Sequence, residues 1–286
     1  KGDVGMGETI LKMQGIQKYF PGVHALDDAQ LEVRSGEVMA LVGENGAGKT
    51  TLLKIMSGLR FPDGGSATIM GENASLRKAE VLQNLYFLQE EMFVPHLRID
   101  EFEKAYAPFY PNFSSEKFAE YLREFELDRE FGYMDKLSHG QKKKVLIAFA
   151  LATNTKVLIM DEPTNGLDIP SKSTFRKLMA SAADDTRLVI ISTHQVRDLH
   201  SLIDMVAILD NGHMLLNASS FEITEKLLFD VDNTKSAEGK IFYNEESPRG
   251  NYQVKENVNH LDSTLDLELL FNAAISNKNE IANLFK

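Results

Sequence analysis

Cysteine is absent from the 286 residues, and with it any disulfide framework, thiolate metal site or cysteine nucleophile. Long apolar runs are missing too: the longest, Val145–Ala152, has eight residues, against about 20 for a helix that crosses a bilayer. A basic excess is lacking as well. With 31 basic and 42 acidic residues the net charge is −11, the wrong sign for gripping a polyanion by counterion release, so no nucleic acid partner is expected. The polar opening, Lys1–Gly7, carries neither a secretory signal nor a transit peptide, which makes a cytoplasmic location the expectation. What is present is ordinary globular composition, 43% apolar and 26% charged, in a chain long enough for one large or two modest self-supporting domains.

Short β-prone stretches, Leu11–Phe20 and His24–Val33, are split by Pro21-Gly22 and predict a small antiparallel layer. Glu37–Val42 is an apolar strand that runs into a glycine-rich loop, after which Leu52, Leu53, Ile55 and Met56 recur at helical spacing. Ser66–Met70 and Tyr86–Gln89 predict further strands, and Ile99–Phe109 and Ser114–Phe125 predict helices. Lys156–Met160 and Leu188–Ser192 are apolar strands of the kind buried on both faces of a parallel sheet, with a helix from about Pro170 to Ala183 between them. A hairpin signal follows at Asn211-Gly212. The composition then turns to Asn, Glu, Lys and Ser, which places an appendage boundary near Phe229. Within the appendage, Lys240–Asn244 and Tyr252–Val258 read as strands, and Leu267, Leu270, Phe271 and Ala274 mark one face of a closing helix.

The loop Gly43-Glu44-Asn45-Gly46-Ala47-Gly48-Lys49-Thr50-Thr51 matches the phosphate-binding pattern of P-loop NTPases. Its glycines let consecutive N–H groups turn around a phosphate without a Cβ clash, and the following helix aims its positive end at the same anion. Lys49 would reach the β- and γ-phosphates, and the Thr50 hydroxyl would help hold Mg²⁺. Farther on, Val157–Met160 ends in Asp161-Glu162, two carboxylates at the edge where such sheets bind ligands. Successive strand residues project oppositely, so Asp161 fits the acid that holds Mg²⁺ and Glu162 the base that polarises an attacking water. Pro163-Thr164, Gly166-Leu167-Asp168 and a second strand ending in Ser192-Thr193-His194 complete the set, with His194 expected at the γ-phosphate.

Together these residues resemble the ATP-binding cassette (ABC) ATPases, over about residues 10 to 228. Leu137-Ser138-His139-Gly140-Gln141 resembles the family's signature motif, with His139 where glycine is commonest, and Gln89 lies where its glutamine loop would be. The resemblance implies that Phe20, with Tyr19 as the alternative, stacks on adenine. It also implies that Gln89 touches Mg²⁺ and senses a membrane partner, that Asp168 lies at a dimer seam, and that His194 clamps the γ-phosphate. Ser138 reads independently as a helix N-cap whose hydroxyl and neighbouring N–H groups make an anion site. In the family, that site closes on ATP held by the other chain of a head-to-tail dimer. The run Lys142-Lys143-Lys144 reads as a solvated helix face.

The expected fold is therefore α/β: a P-loop NTPase with a mixed, largely parallel core sheet, an antiparallel β subdomain, a helical signature subdomain over about 90–145 and a small α+β appendage. Residues 8–228 would form the nucleotide-binding domain and 229–286 the appendage. The resemblance implies a Mg²⁺-dependent ATPase at the cytoplasmic face of a membrane, paired with itself or a second cassette and powering separate transmembrane permease subunits. Phe20-Pro21-Gly22-Val23 resembles sugar-importer ATPases, whereas the chain from about Leu82 onward resembles partners of type-2 exporter permeases, so export is the expected direction. The rivals are a soluble ABC ATPase, for which tandem cassettes or heptad coiled coils are lacking, and an ATP-gated dimerisation module with little turnover, against which Glu162 and His194 argue.

Overall fold

A computed structural model describes residues 7–194, 202–231, 238–247 and 250–285. Strands β1 (Thr9–Phe20) and β2 (Val23–Arg34) are antiparallel across the Pro21-Gly22 turn. Next, β3 (Val38–Val42) leads through the glycine loop into α1 (Lys49–Met56). β4 (Gly64–Ile69) and the short β5 (Glu72–Asn73) complete a four-stranded sheet of order β2-β1-β4-β5. The single turn α2 (Ala79–Leu82) precedes β6 (Leu85–Leu88), and a helical block follows: α3 (Ile99–Tyr106), α4 (Ser115–Glu124) and α5 (His139–Ala152). Then come β7 (Val157–Asp161), α6 (Ile169–Ala182), β8 (Leu188–Thr193), β9 (Met205–Asp210) and β10 (His213–Ser219). The chain closes with α7 (Ser220–Lys226), β11 (Leu227–Val231), β12 (Ile241–Ser247), β13 (Gly250–Glu256), α8 (Leu267–Ser276) and α9 (Lys278–Leu284). The helix expected over Ile99–Phe109 ends as an α-helix at Tyr106 because Pro108 has no N–H to continue the ladder; Ala107–Phe109 is a 3₁₀ turn.

The central sheet has the order β10-β9-β3-β8-β7-β6, parallel throughout except for the antiparallel β10. Every residue of β3, β7 and β8 is buried, which is why these strands read as unbroken apolar runs. The period of two still operates inside them. Val38, Ala40, Leu158, Met160, Val189 and Ile191 face one core, with the helical block; Met39, Leu41, Val157, Ile159, Leu188 and Ile190 face another, with α1 and the antiparallel layer. The sheet is thus the partition between two hydrophobic cores.

Helix α5 is apolar all round from Val145 to Ala152, and each of those residues is buried. Phe149 is the hub of its packing. Its ring lies 5.0 Å from that of Phe102, 4.9 Å from Phe113, 5.7 Å from Phe118, 5.8 Å from Tyr86 and 6.1 Å from Tyr110, tying α3 and α4 to the sheet. The end of α5 is closed by the buried Arg187, which donates to the carbonyls of Ala150 and Leu151 in its last turn. Burial pushes the Arg187 guanidinium down to about 10, opposed by Asp184.

In the appendage, β13 lies between β11 and β12. The composition break near Phe229 falls inside β11, whose register with β13 begins at Leu227, so the sheet starts before the composition changes. Leu227, Phe229, Val254, Leu267, Leu270 and Ile281 join the same core as the helical block and cover the β9–β10 side of the sheet. Lys278 Nζ meets Asp210 Oδ2 at 2.5 Å, and Lys226 donates to the Leu284 carbonyl at 2.9 Å. No helix among the described residues is long and apolar enough to cross a membrane. Because Phe149 anchors the helical block, Phe149→Ala should destabilise the chain by about 3–5 kcal/mol in a urea titration. A loss below about 1 kcal/mol would contradict this packing.

Candidate functional site

Strand β3 and helix α1 bracket the loop 43–48, and steric demand explains its composition. A Cβ on Gly43 would sit 2.4 Å from the Leu209 carbonyl oxygen; one on Gly48, at φ +108°, would sit 2.5 Å from that of Ala25. Gly48 is the N-cap of α1, with no side-chain cap and no acidic residue in the first turn. The leading N–H groups of α1 therefore have neither a helical carbonyl nor a capping side chain, the arrangement that favours an anion. Glu44, Asn45 and Gly46 form the exposed rim, Ala47 N donates back to the Glu44 carbonyl at 3.1 Å, and Thr51 continues the helix.

Lys49, 6% exposed, curls back over this loop, donating to the carbonyls of Gly43 (2.7 Å) and Glu44 (3.0 Å), with Glu162 Oε1 at 3.8 Å. Burial pushes its ammonium below lysine's ordinary value, opposed first by Glu162, then by Asp161 and Glu90. Its neighbour Thr50 donates its hydroxyl to Asp161 Oδ2 at 2.7 Å, and Ser192 Oγ donates to Asp161 Oδ1 at 2.5 Å. Both Asp161 oxygens are thus engaged at the end of β7, directly opposite Ser192 of β8 in the parallel register. Glu162, 4% exposed and just past the end of β7, turns at φ +47° and meets His194 Nδ1 at 2.8 Å through Oε1. Lys49, Thr50, Asp161, Glu162 and His194 therefore come together at this sheet edge.

Other expected residues lie around this cluster. Gln89 follows β6 at the same sheet edge and is exposed. Asp168 caps α6, accepting the Ser171 N–H at 2.8 Å, with Lys144 at 3.8 Å; hydrogen bonding to the Ser171 side chain first, and then to its N–H, holds the carboxyl below the usual range. Phe20 carries the Arg60 guanidinium 4.8 Å from its ring centre and the Lys18 ammonium at 5.7 Å, while Tyr19, 49% exposed, stacks on His24 at 4.2 Å.

The signature segment is a closed capping box. Ser138 Oγ accepts the Gln141 N–H at 3.2 Å and Ser138 N donates to Gln141 Oε1 at 2.9 Å. Leu137 is buried beneath it. The box consumes one of the donors expected for an anion, leaving the Ser138 hydroxyl hydrogen and the N–H groups of His139 and Gly140, which no helical carbonyl can reach. The His139 imidazole packs against Gly166, whose added Cβ would lie 3.0 Å from Cδ2.

One expectation is overturned. The run Lys142–Lys144 is not a solvated face: Lys143 is 0% exposed and donates to the Glu162 carbonyl at 2.5 Å. The sequence offers no signal for this, because a lysine between lysines at a helix start is read by default as solvated. Glu90 was missed as well; its Oε1 accepts from Asn165 Nδ2 at 3.0 Å. Its adjacency to Gln89 at a strand end was the available cue.

Comparison with known proteins identifies relatives of the chain. A sequence profile described as "ABC transporter" matches residues 26–165. The arabinose import ATP-binding protein AraG of Chromohalobacter salexigens is 31% identical over 229 residues, 76% of this chain and 46% of its own. The chain thus spans about half the length of that relative. An uncharacterized ABC transporter ATP-binding protein of Bacillus subtilis, YdbJ, is 30% identical over 272 residues, 91% of this chain and 88% of its own. Among solved structures, a dimeric ATP-binding cassette in a post-hydrolysis state, bound to ADP and phosphate, is 25% identical with a TM-score of 0.64, covering 73% of this chain and 98% of its own. With a phosphate loop and two carboxylates meeting on a parallel sheet in the same fold, the chain belongs to the ABC transporter family.

Proposed function

We propose that the chain binds and hydrolyses ATP between two cassettes and uses the resulting opening and closing to drive transport through separate membrane subunits. The observation that carries this reading is the convergence of Lys49, Thr50, Asp161, Glu162 and His194 beside the uncapped start of α1. A merely structural phosphate site would need the loop alone; the buried pair of carboxylates points to chemistry on the phosphate.

The residues fit Mg²⁺. Thr50 Oγ1 and Asp161 Oδ2, 2.7 Å apart, are the hard oxygen donors this ion prefers, and phosphate oxygens and waters complete its shell. Bound there, Mg²⁺ would neutralise charge that develops on the β- and γ-phosphate oxygens. Lys49 exchanges its loop carbonyls for phosphate oxygens as the anion arrives. Glu162 takes a proton from the attacking water at its carboxylate, and His194, held through Nδ1, presents Nε2 towards the γ-phosphate. Phe20 supplies a ring for adenine, and Gln89 reaches the metal-bearing edge from β6.

The first turn of α5, Ser138 to Gly140, would close on ATP held by a second chain, with Asp168 at the seam in a head-to-tail pair. The solved cassette similar to this one is itself dimeric, which supports the pairing. The helical block carries exposed aromatic side chains, Phe93 (92%), Tyr106, Phe109, Phe131 and Tyr133, an apolar surface suited to receive a membrane subunit. Outward movement is the direction proposed, on the likeness of the chain from Leu82 onward to partners of type-2 exporter permeases. The arabinose relative is an importer by name, so the partner's topology is the deciding observation.

Two outcomes are expected. Glu162→Gln should lower phosphate release by about 10²- to 10³-fold while ATP binding persists and a dimer accumulates in ATP, followed by light scattering. Unchanged turnover would remove Glu162 from the reaction. Purified from detergent-solubilised native membranes, the tagged chain should bring a stoichiometric polytopic partner; recovery of active ATPase with soluble partners only, beside an intact control complex, would contradict the transport reading.

A further inference from the structure

Among the described residues, four sets of buried charges lie outside those placed at the nucleotide. Arg187 closes the end of α5, Glu103 pairs with Arg129 at 2.8 Å, and Lys255 with Asp230 forms an ion pair at 3.2 Å inside the appendage sheet, so these three have structural duties. Lys143 differs. Fully buried one turn into the signature helix, it directs an ammonium at a backbone carbonyl, that of Glu162. A neutral donor could make that bond at far smaller desolvation cost. Burial pushes the Lys143 ammonium down, and Glu90 is the first of the carboxylates that oppose it, ahead of Glu162 and Asp161.

The backbone of Glu162 explains why such a clamp is useful. Its φ of +47° is left-handed, uncommon for a side chain with a Cβ, and such a conformation persists where its surroundings over-determine it. The N–H is held by Ser192, at 3.2 Å to the carbonyl and 3.1 Å to Oγ. The carbonyl accepts from Lys143 Nζ at 2.5 Å and from Asn165 N at 3.2 Å. The same Asn165 gives its side-chain amide to Glu90 at 3.0 Å. The peptide groups on both sides of Glu162 are therefore gripped, the preceding one from β8 and the following one from the signature helix and, through Asn165, from the segment that carries Gln89.

We infer that Lys143 and Glu90 are positioning residues for Glu162: Lys143 fixes the Glu162–Pro163 peptide from α5, and Glu90 fixes it through Asn165, so the carboxylate is aimed only while both segments are seated. Rotation of this peptide swings the carboxylate, and a displacement of about 1 Å at a reacting group is enough to cost turnover severely. A partner that shifts the segment after β6 would thus weaken the aim of Glu162 without touching the nucleotide. The inference rests on the hydrolytic role proposed for Glu162.

The test uses the full chain with Lys143→Met, Lys143→Gln, Glu90→Ala and the double variant Lys143→Met/Glu90→Ala. Turnover, KM for ATP, binding of a fluorescent ATP analogue and the thermal midpoint are measured on each. Glu90 is exposed, so Glu90→Ala leaves the core intact; it should lower kcat about tenfold with KM and analogue binding within about twofold. Lys143→Met should lose at least as much, Lys143→Gln should recover part of the loss because its amide still donates, and the double variant should fall no further than the weaker single variant. Should Lys143→Met fail to fold, Glu90→Ala decides. Turnover of Glu90→Ala within twofold of an active wild type, or a loss matched by lost analogue binding, overturns the inference. A wild type that binds the analogue and releases no phosphate overturns the hydrolytic reading itself, and the inference with it.

Discussion

Burying Asp161 and Glu162 side by side, at the end of a strand covered on both faces, is the constraint from which the rest of the site follows. Two carboxylates withdrawn from water are costly unless each finds hydrogen-bond or charge partners. Thr50 and Ser192 supply hydroxyls to Asp161, and Lys49 and His194 bring positive or donating groups to Glu162. Lys49 and Thr50 come from the start of α1 and Ser192 and His194 from the end of β8, and the parallel register that puts Asp161 opposite Ser192 makes the meeting possible. The apolar cores above and below the sheet hold those ends still. Electrostatics defines the site, while packing supplies the rigidity that makes its distances meaningful.

Much of this was legible because the physics is local. A glycine loop between an apolar strand and an amphipathic helix has few other uses, and strands buried on both faces announce themselves as unbroken apolar runs such as Val157–Met160. Two things were not legible. Lys143 sits at the start of a helix that is apolar all round after it, so periodicity gave no facing, and its neighbours suggested water; burial there is decided by how α5 lies under β7, a tertiary matter. The left-handed turn at Glu162 is equally silent, since φ at a non-glycine leaves no mark in composition. The signature motif was legible as an N-cap at Ser138; what the residue types left silent is that Gln141 closes a capping box with it, which takes up the Gln141 N–H.

The appendage illustrates a different limit. Its change of composition puts the boundary near Phe229, yet Leu227 already belongs to its sheet, and Leu267, Leu270 and Ile281 share the core that includes the helical block. Composition tracks solvent-facing residues, whereas the boundary of a core is set by the buried ones. The appendage therefore caps the side of the central sheet where β10 runs antiparallel, and its docking adds apolar surface to the same partition that holds the site.

The account stands on hydrolysis at a site completed by a second chain, and the measurement that meets it most directly is phosphate release from ATP followed over a range of chain concentrations, with and without Mg²⁺. Release that requires Mg²⁺ and rises per chain as the chain is concentrated, until pairs are saturated, is the predicted result. Release per chain that is independent of concentration from the most dilute sample upward would contradict the paired site, and bound ATP that is never cleaved would contradict the hydrolysis.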